Sequence, residues 1–432
     1  MGYLLGTLLQ EYTLQQHDES SNNRLKDTHP VAHLNCADHG GPHNQRIIDE
    51  MAYWSDIASD SLYLSPMHPR NDPHTPDDTE RFLSFEPDFA GWNNVRMSFE
   101  TALVMAHAMG RTLVLPTEQR MIHNVKGEHR HVFGFHEFFH LDAISKENDG
   151  LKVITMEEFL EEEGIAGRLR DVHSHKVKYP TGNITKFESG KIYNWTPLWR
   201  YLRAVGNTPE WHEDECALGI PSSTDDESII ELNTTLHSIM DGSYGKPRPK
   251  LDEFVDNPTP VNASTAERMR EMLADREKLC IYDKQLQKSK LIHLQIDIKK
   301  PRLLTHFYAF IFFADWRQDL WSKRFVRDHL RLRDEISCAA ARVVEAVRDH
   351  ARNNSQHNAS HTEGLYDSMH VRRGDFKYQY SWTQLPAEKL YSLSKEELAE
   401  GSTLYISTDE KDKSFFAIFK KHYDVVFLGE WI

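Results

Sequence analysis

Apolar and polar positions alternate between two periods along the chain, and the first clear change of period lies near residue 81. Arg81–Phe85 is the short apolar run of a strand. A turn follows over Asp88–Asn94. Val95, Phe99, Ala102, Leu103, Ala106 and Met109 then recur at the spacing of one helix face. Asn93 or Asn94 suits the N-cap, and Gly110 the stop just beyond the C-terminus. Thr112–Pro116 reads as the next strand. Strand, turn, helix and strand together predict a parallel pair joined by a right-handed crossover. The helix N-terminus faces whatever lies over the turn, where its dipole favours an anion.

The alternation returns downstream. Thr155 with Glu158 forms a capping box for a helix that stops at Gly164. Residues 166–262 show aromatics, Pro and Gly without a period, and are expected to be insertions and acceptor-facing loops. Glu267–Leu279 predicts a helix and Leu291–Gln295 a strand. The longest periodic stretch is 321–348, where Phe325, Leu332, Ile336, Ala339, Val343 and Val347 form one stripe with charged residues opposite. A polar loop over Asp349–Gly364 ends it. Strands at Leu365–Met369, Thr403–Ile406 and Asp424–Leu428, with a helix near Lys413–His422, complete a second alternating set. Before residue 80 the chain is polar, His-rich and punctuated by Pro, with one helix candidate near Asn44–Ala58. The predicted class is α/β with doubly wound sheets. The expected organisation is an extension or stem over 1–79, a first domain over 80–315 and a second over 316–432.

Composition sets bounds on this picture. A chain of 432 residues has room for two domains, and 39% apolar with 27% charged residues fits an ordinary globular protein. The net charge of -15 opposes general nucleic-acid binding, which needs clustered cations, although a local arginine pair can still take a small anion. No window approaches 18 consecutive apolar residues, so no spanning helix is predicted. Met1–Leu9 is mildly apolar but short and without a basic start, which fits the remnant of a signal or anchor. Cys36, Cys216, Cys280 and Cys338 include no C-x-x-C pair, which disfavours a zinc ribbon. Disulfides are allowed but not indicated, and Cys338, on an apolar helix face, is expected to be buried and inert. Sequons at Asn183, Asn194, Asn233, Asn262, Asn353 and Asn358 point mildly to a secretory lumen.

The most telling chemistry lies in His370-Val371-Arg372-Arg373-Gly374-Asp375-Phe376. Arg offers a planar fork of donors that stays charged and often binds phosphate with two bonds. The pair ends one predicted strand, and the next ends in Ser407-Thr408-Asp409-Glu410. Two neighbouring strands would then present polar tips on one sheet edge, where open α/β sheets bind ligands. A surface ion-pair network is the plainer explanation of an Arg-Arg pair. Gly91-Trp92-Asn93-Asn94-Val95-Arg96 is a helix entry with a cation in its first turn, against the dipole; an anion or a nearby carboxylate would offset that cost. His136-Glu137-Phe138-Phe139-His140 matches the zinc-protease template, but no third ligand is placed by the known downstream patterns, and a short apolar turn explains it. Tyr193–Trp199 with Trp211 reads as core or interdomain packing more than as a sugar platform.

These segments carry a resemblance. Gly91–Arg96 is similar to a G-x-N-x-x-R turn, His370–Asp375 to an H-x-R-R-x-D motif, and Tyr405–Glu410 to a third strand segment of the GDP-fucose protein O-fucosyltransferase superfamily. Arg302–Tyr308 and Lys323–Asp328 also resemble lineage-typical stretches; the likeness spans 80–432 and is weak over 120–290. It implies a GT-B fold of two Rossmann-like domains facing across a cleft. It further implies inverting transfer of fucose from GDP-fucose to a Ser or Thr hydroxyl, with no metal or other cofactor, in the endoplasmic reticulum or Golgi lumen. Arg372 would grip the β-phosphate and stabilise departing GDP. His370, Arg373 and Asp375 would shape the nucleotide pocket, and Ser407, Thr408 and Asp409 would contact guanosine. Asn93 and Arg96 would hold the first loop near fucose and acceptor.

Two departures stand out. Ala90 occupies the place where some members carry a Glu base, leaving Glu86 and Asp88 as the nearest carboxylates. The family also has a further segment ending in Ser/Thr-Thr-Phe, so the second domain is expected to be incomplete at Ile432. Rival readings are an α1,6-type fucosyltransferase acting on glycans and a catalytically silent GT-B-like scaffold.

Overall fold

The computed structural model describes residues 34–49, 65–68, 80–88, 91–120, 132–141, 144, 151–181, 195–211, 216–296, 311–354, 364–374 and 376–430. Met1–Leu9, Ala90, Asp375 and Arg302–Tyr308 lie outside these residues. Two compact units emerge, one within 56–332 and the other combining 31–55 with 333–432.

The strands of the first unit are β1 (Phe82–Phe85), β2 (Thr112–Val114), β3 (Gln119–Arg120), β4 (Val132–Phe133), β5 (Val153–Ile154), β6 (Cys216–Ile220), β7 (Lys278–Ile281), β8 (Leu291–Leu294) and β9 (Ile311–Phe313). Its longer helices are α1 (Trp92–Ala108), α2 (Trp195–Val205), α3 (Asp226–Met240), α4 (Thr265–Met272) and α5 (Trp316–His329). One sheet runs β5-β2-β1-β8, every pair parallel. All four residues of β1 are buried, so both faces must be covered. Leu83 and Phe85 join Phe99 and Leu103 of α1 in one core, while Phe82 meets Phe159 and the Leu198 and Leu202 side chains of α2 in another. Each such side chain contributes about 1.5–3 kcal/mol on burial.

The entry to α1 differs from the predicted cap. Gly91 takes the N-cap position without a side-chain bond, and its carbonyl accepts from the Asn94 and Val95 amides. Asn93 and Asn94 are therefore first-turn residues. Gly110 does stop the helix, at φ 61°, and a Cβ there would lie 2.4 Å from the Met67 carbonyl oxygen. The next residue, Arg111, is buried, with its guanidinium donating to the Tyr282 hydroxyl at 3.0 Å and to the Phe82 and Ser289 carbonyls at 3.2 and 2.8 Å. It ties the start of β1 to the chain between β7 and β8.

A second parallel sheet, β7-β6-β9, takes its central strand from the stretch the sequence suggested was irregular. Residues 166–262 contain α2, β6 and α3. The apolar stripe Leu198, Leu202 and Val205 drives α2 into the core, and the five residues of β6 are buried throughout. Of the aromatic cluster, Trp211 is buried and Trp199 packs against the α2 core, while Tyr193 lies outside the described residues. Ser264 caps α4 in a capping box with Glu267, but the helix ends at Met272. Asp275 at φ 58° turns the chain, and β7 follows where a continued helix was predicted. The stripe over 321–348 likewise divides: α5 ends at His329, and Leu332 bridges to Phe139 before the next helix begins.

That helix, α6 (Asp334–Asn354), opens the main part of the second unit and extends into the predicted Asp349–Gly364 loop. The unit adds α7 (Ala387–Ser394) and the parallel strands β10 (Asp367–Val371), β11 (Thr403–Thr408) and β12 (Asp424–Val426), in spatial order β10-β11-β12. Val371, Leu404 and Ile406 bury one sheet face against Phe416, Phe419, Tyr423 and Phe427. The predicted helix at 413–422 is a pair of 3-10 turns, Lys413–Phe416 and Phe419–Lys421.

Residues 34–49 belong to this unit rather than standing apart from it. Cys36 and Cys338 form a disulfide, with Leu34 and Ile48 packed around it. Cys338 is thus buried but not inert. A second disulfide, Cys216–Cys280, ties β6 to β7. Of the helix expected over Asn44–Ala58, Gln45–Asp49 is described. Replacing Cys36 and Cys338 together by Ser is expected to lower the stability of the second unit by about 2–4 kcal/mol. Denaturant unfolding followed in that unit measures this, and an unchanged midpoint would show that the bond does not anchor the segment.

Candidate active site

β10 and β11 run parallel in register, His370 beside Ser407 and Val371 beside Thr408, so both chains leave the sheet at its carboxyl edge. Three bonds tie the tips together. The Thr408 hydroxyl donates to the Val371 carbonyl at 2.6 Å. The Arg373 amide donates to the Asp409 carboxylate at 2.6 Å. The Arg373 guanidinium donates to Glu410 at 2.9 Å and to the Leu385 carbonyl at 3.1 Å, and lies 3.8 Å from the Phe415 ring centroid. A Cβ at Gly374 would meet the second Asp409 carboxylate oxygen at 2.5 Å, so any side chain there would have to displace that carboxylate.

The two arginines therefore have different surroundings. Arg373 is bound into an ion pair. Arg372 is exposed, its guanidinium carbon 4.8 Å from the Phe376 ring centroid. His370, Ser407 and Asp409 are exposed around it, and Thr408 is half-buried. Asp375 lies outside the described residues.

Asn93 and Arg96 belong to the first unit. Asn93 is exposed in the first turn of α1. The cation that opposes the helix dipole has a partner: Arg96 donates to Glu100 at 2.6 Å, one turn on. Burial raises the Glu100 carboxyl above its ordinary value, against the pull of Arg96. Trp92 stacks on Phe138 at 3.7 Å, which anchors the turn to the 135–139 segment.

Just upstream, Glu86 leaves β1 into a buried polar chain. Arg203 of α2 grips its carboxylate with two bonds, of 2.7 and 2.6 Å. The His293 ring lies 3.1 Å from Glu86 through Nε2 and 2.8 Å from the Ser84 hydroxyl through Nδ1. A carboxylate only accepts, so Nε2 donates to it, and Nδ1 accepts from Ser84. Burial raises the Glu86 carboxyl, but the bonds from His293 and Arg203 outweigh it and hold the group below its ordinary value. Burial pushes His293 below its ordinary value against the pull of Glu86, so the ring is neutral and Arg203 supplies the charge. Ser, His and a carboxylate in a row suggest a nucleophile relay, yet Ser84 and His293 are both 0% exposed and no substrate reaches them. The chain is a brace.

His136 and His140 do not form the zinc-protease pair. Phe135–Glu137 is a 3-10 turn, Phe139 bridges to Leu332 and the His140 amide bonds to Arg331, so the two rings are not one helical turn apart. Phe135 stacks on Phe99 at 4.4 Å, the apolar turn expected of this segment. Potential ligand atoms of Glu118, His136 and Glu137 do lie within 4.8 Å of one another, though Glu137 also accepts the Gly134 amide at 2.9 Å as a cap.

The sequence profile of the GDP-fucose protein O-fucosyltransferase family matches residues 82–429. The chain belongs to that family. No curated protein matches the sequence. Among solved structures, the fucosyltransferase NodZ from Bradyrhizobium is 12% identical with a TM-score of 0.31, covering 81% of this chain and 78% of its own. POFUT1 in complex with GDP is 13% identical with a TM-score of 0.32, covering 82% and 87%. At those scores the likeness places no residue. The O-fucosyltransferase family is one of GDP-fucose-dependent glycosyltransferases, and its profile spans both units of this member, including all the motif residues. Among the described residues no helix is long and apolar enough to cross a membrane.

Sequence reasoning missed the roles of Glu410, Arg203 and His293. Glu410 is the last residue of its motif and was legible as a potential partner for the arginines. Arg203 and His293 are 117 and 207 residues from Glu86, a separation that no local pattern spans. The His293 environment sets a pH dependence. The unfolded chain takes up that proton near pH 6.5, while the folded chain resists it. Stability is therefore complete above about pH 6.5 and falls as pH drops from there towards the folded value. Thermal melts between about pH 5 and 7 should show a shallower slope for His293→Gln than for the wild type. Equal slopes would mean that His293 takes up its proton alike in the folded and unfolded chains, so that burial does not shift it.

Proposed function

We propose that this O-fucosyltransferase family member moves fucose from GDP-fucose, with inversion, to a Ser or Thr hydroxyl of a protein in the endoplasmic reticulum or Golgi lumen. The observation that carries the reading is an exposed Arg372 beside a neighbour locked in its own ion pair. Breaking the bond between fucose C1 and the β-phosphate oxygen develops negative charge on GDP. A preorganised cation there stabilises the leaving group without a metal, at about 3–4 kcal/mol per donor in comparable sites. Arg373, Asp409 and Glu410 hold the strand tips that present Arg372. His370, Ser407 and Thr408, with Asp375 by its place in the motif, are assigned to the nucleotide, and Asn93 and Arg96, by their motif in the first unit, to fucose and acceptor.

Glu86 does not replace the base absent at Ala90, because Arg203 and His293 occupy its carboxylate. The reading instead requires bond breaking ahead of bond making, with the acceptor proton leaving late, to water. Two disulfides favour an oxidising lumen.

GDP at about 100 times its dissociation constant should stabilise the chain by about 2.7 kcal/mol in a thermal-shift assay, and UDP should not. Arg372→Ala is expected to lower GDP-fucose turnover by about 10²–10³ with the melting temperature preserved. Arg373→Ala should instead lower the melting temperature. Near-normal turnover in Arg372→Ala would overturn the assignment, and loss of activity after chelation would overturn its metal-free chemistry.

A further inference from the structure

Directly after the arginine motif the chain alternates aromatic and polar residues, with Phe376, Tyr378, Tyr380 and Trp382 at every second position. That pattern would suit a strand, but the structure forms two short turns, Phe376–Gln379 and Ser381–Thr383. The Tyr380 amide bonds to the Phe376 carbonyl at 2.8 Å and the Gln384 amide to the Ser381 carbonyl at 3.2 Å, which fixes both turns. Three of the rings, Phe376, Tyr380 and Trp382, make a connected row. Phe376, under the Arg372 guanidinium, lies 4.7 Å from Tyr380, and Tyr380 meets Trp382 edge-on at 5.2 Å. Trp382 is nonetheless 75% exposed and Tyr378 81% exposed. Large aromatic rings dominate burial energetics wherever they pack, so rings kept in water next to a binding cation mark a surface for a ligand.

We infer that Tyr378, Tyr380 and Trp382 form a saccharide platform, and that the acceptor carries a pyranose ring beside the hydroxyl that receives fucose. A pyranose has an apolar C–H face and a rim of hydroxyls. Tyr and Trp match it with an apolar face and a polar tip. Position separates this ligand from the guanine base, the other group that stacks on such rings. The row begins at Arg372, the β-phosphate partner. The β-phosphate is bonded to fucose, with the acceptor beyond, whereas ribose and the α-phosphate stand between it and the base. This inference rests on the proposed role of Arg372.

Saturation-transfer NMR tests it on the full chain with GDP present. The probes are the methyl glycosides of N-acetylglucosamine, galactose and mannose, with an unglycosylated Thr-containing peptide as comparison. At least one glycoside should receive saturation from the wild type. Its affinity should weaken by about tenfold in Trp382→Ala and in Tyr378→Ala, and recover in Trp382→Phe. GDP-induced stabilisation, read on the same samples, reports the fold and the nucleotide site. Silence from every glycoside, a signal that survives both alanine variants, or a signal from the peptide alone overturns the platform. Loss of GDP stabilisation in Trp382→Ala also overturns it, by assigning the ring to the base. If GDP fails to stabilise the wild type, the reading of Arg372 fails instead, and the platform falls with it.

Discussion

Two parallel strands that end side by side do not by themselves fix the path of the chain beyond their tips. In the second unit the constraint comes from the acidic pair after β11. Asp409 takes the Arg373 amide and Glu410 its guanidinium, so one arginine is immobilised and the residue before it is set at the sheet edge. The bare Gly374 belongs to the same arrangement, since the Asp409 carboxylate fills the space a side chain would need. An Arg-Arg pair in this setting is one brace and one exposed cation.

The first unit solves a similar problem with buried groups. Ser84, His293, Glu86 and Arg203 join the end of β1 to β8 and α2, ahead of the turn that opens α1. Such a chain is stable because every member is satisfied, and removing one partner from a buried charge pair leaves the other uncompensated. In both units a carboxylate near a motif serves structure, Glu86 in the first and Asp409 with Glu410 in the second. Proximity in sequence to a reacting centre is therefore weak evidence that an acid acts as its base.

How much of this the sequence disclosed depended on how local the cause was. The α1 unit was legible, because its stripe and Gly110 act within one helix. The strands at 367–371, 403–408 and 424–426 were legible for the same reason, and so was the arginine tip. The middle was not. Its helix α2 is marked by a stripe of only a few apolar positions among aromatics and Pro, and β6 by five residues that become recognisable when β7 and β9 flank them. Asp275 broke a predicted helix through a backbone angle that Asp adopts more readily than most side chains. The fate of Cys36 and Cys338 depended on contacts across most of the chain.

That last pairing bears on biosynthesis. Cys36 leaves the ribosome 302 residues before Cys338, roughly 15–60 s at ordinary elongation rates. Cys216 and Cys280 appear in the interval, each able to pair wrongly with the waiting thiol. The nascent chain thus holds an unpaired cysteine throughout synthesis of the first unit, so the yield of correctly paired chain depends on thiol exchange and not on fold stability alone.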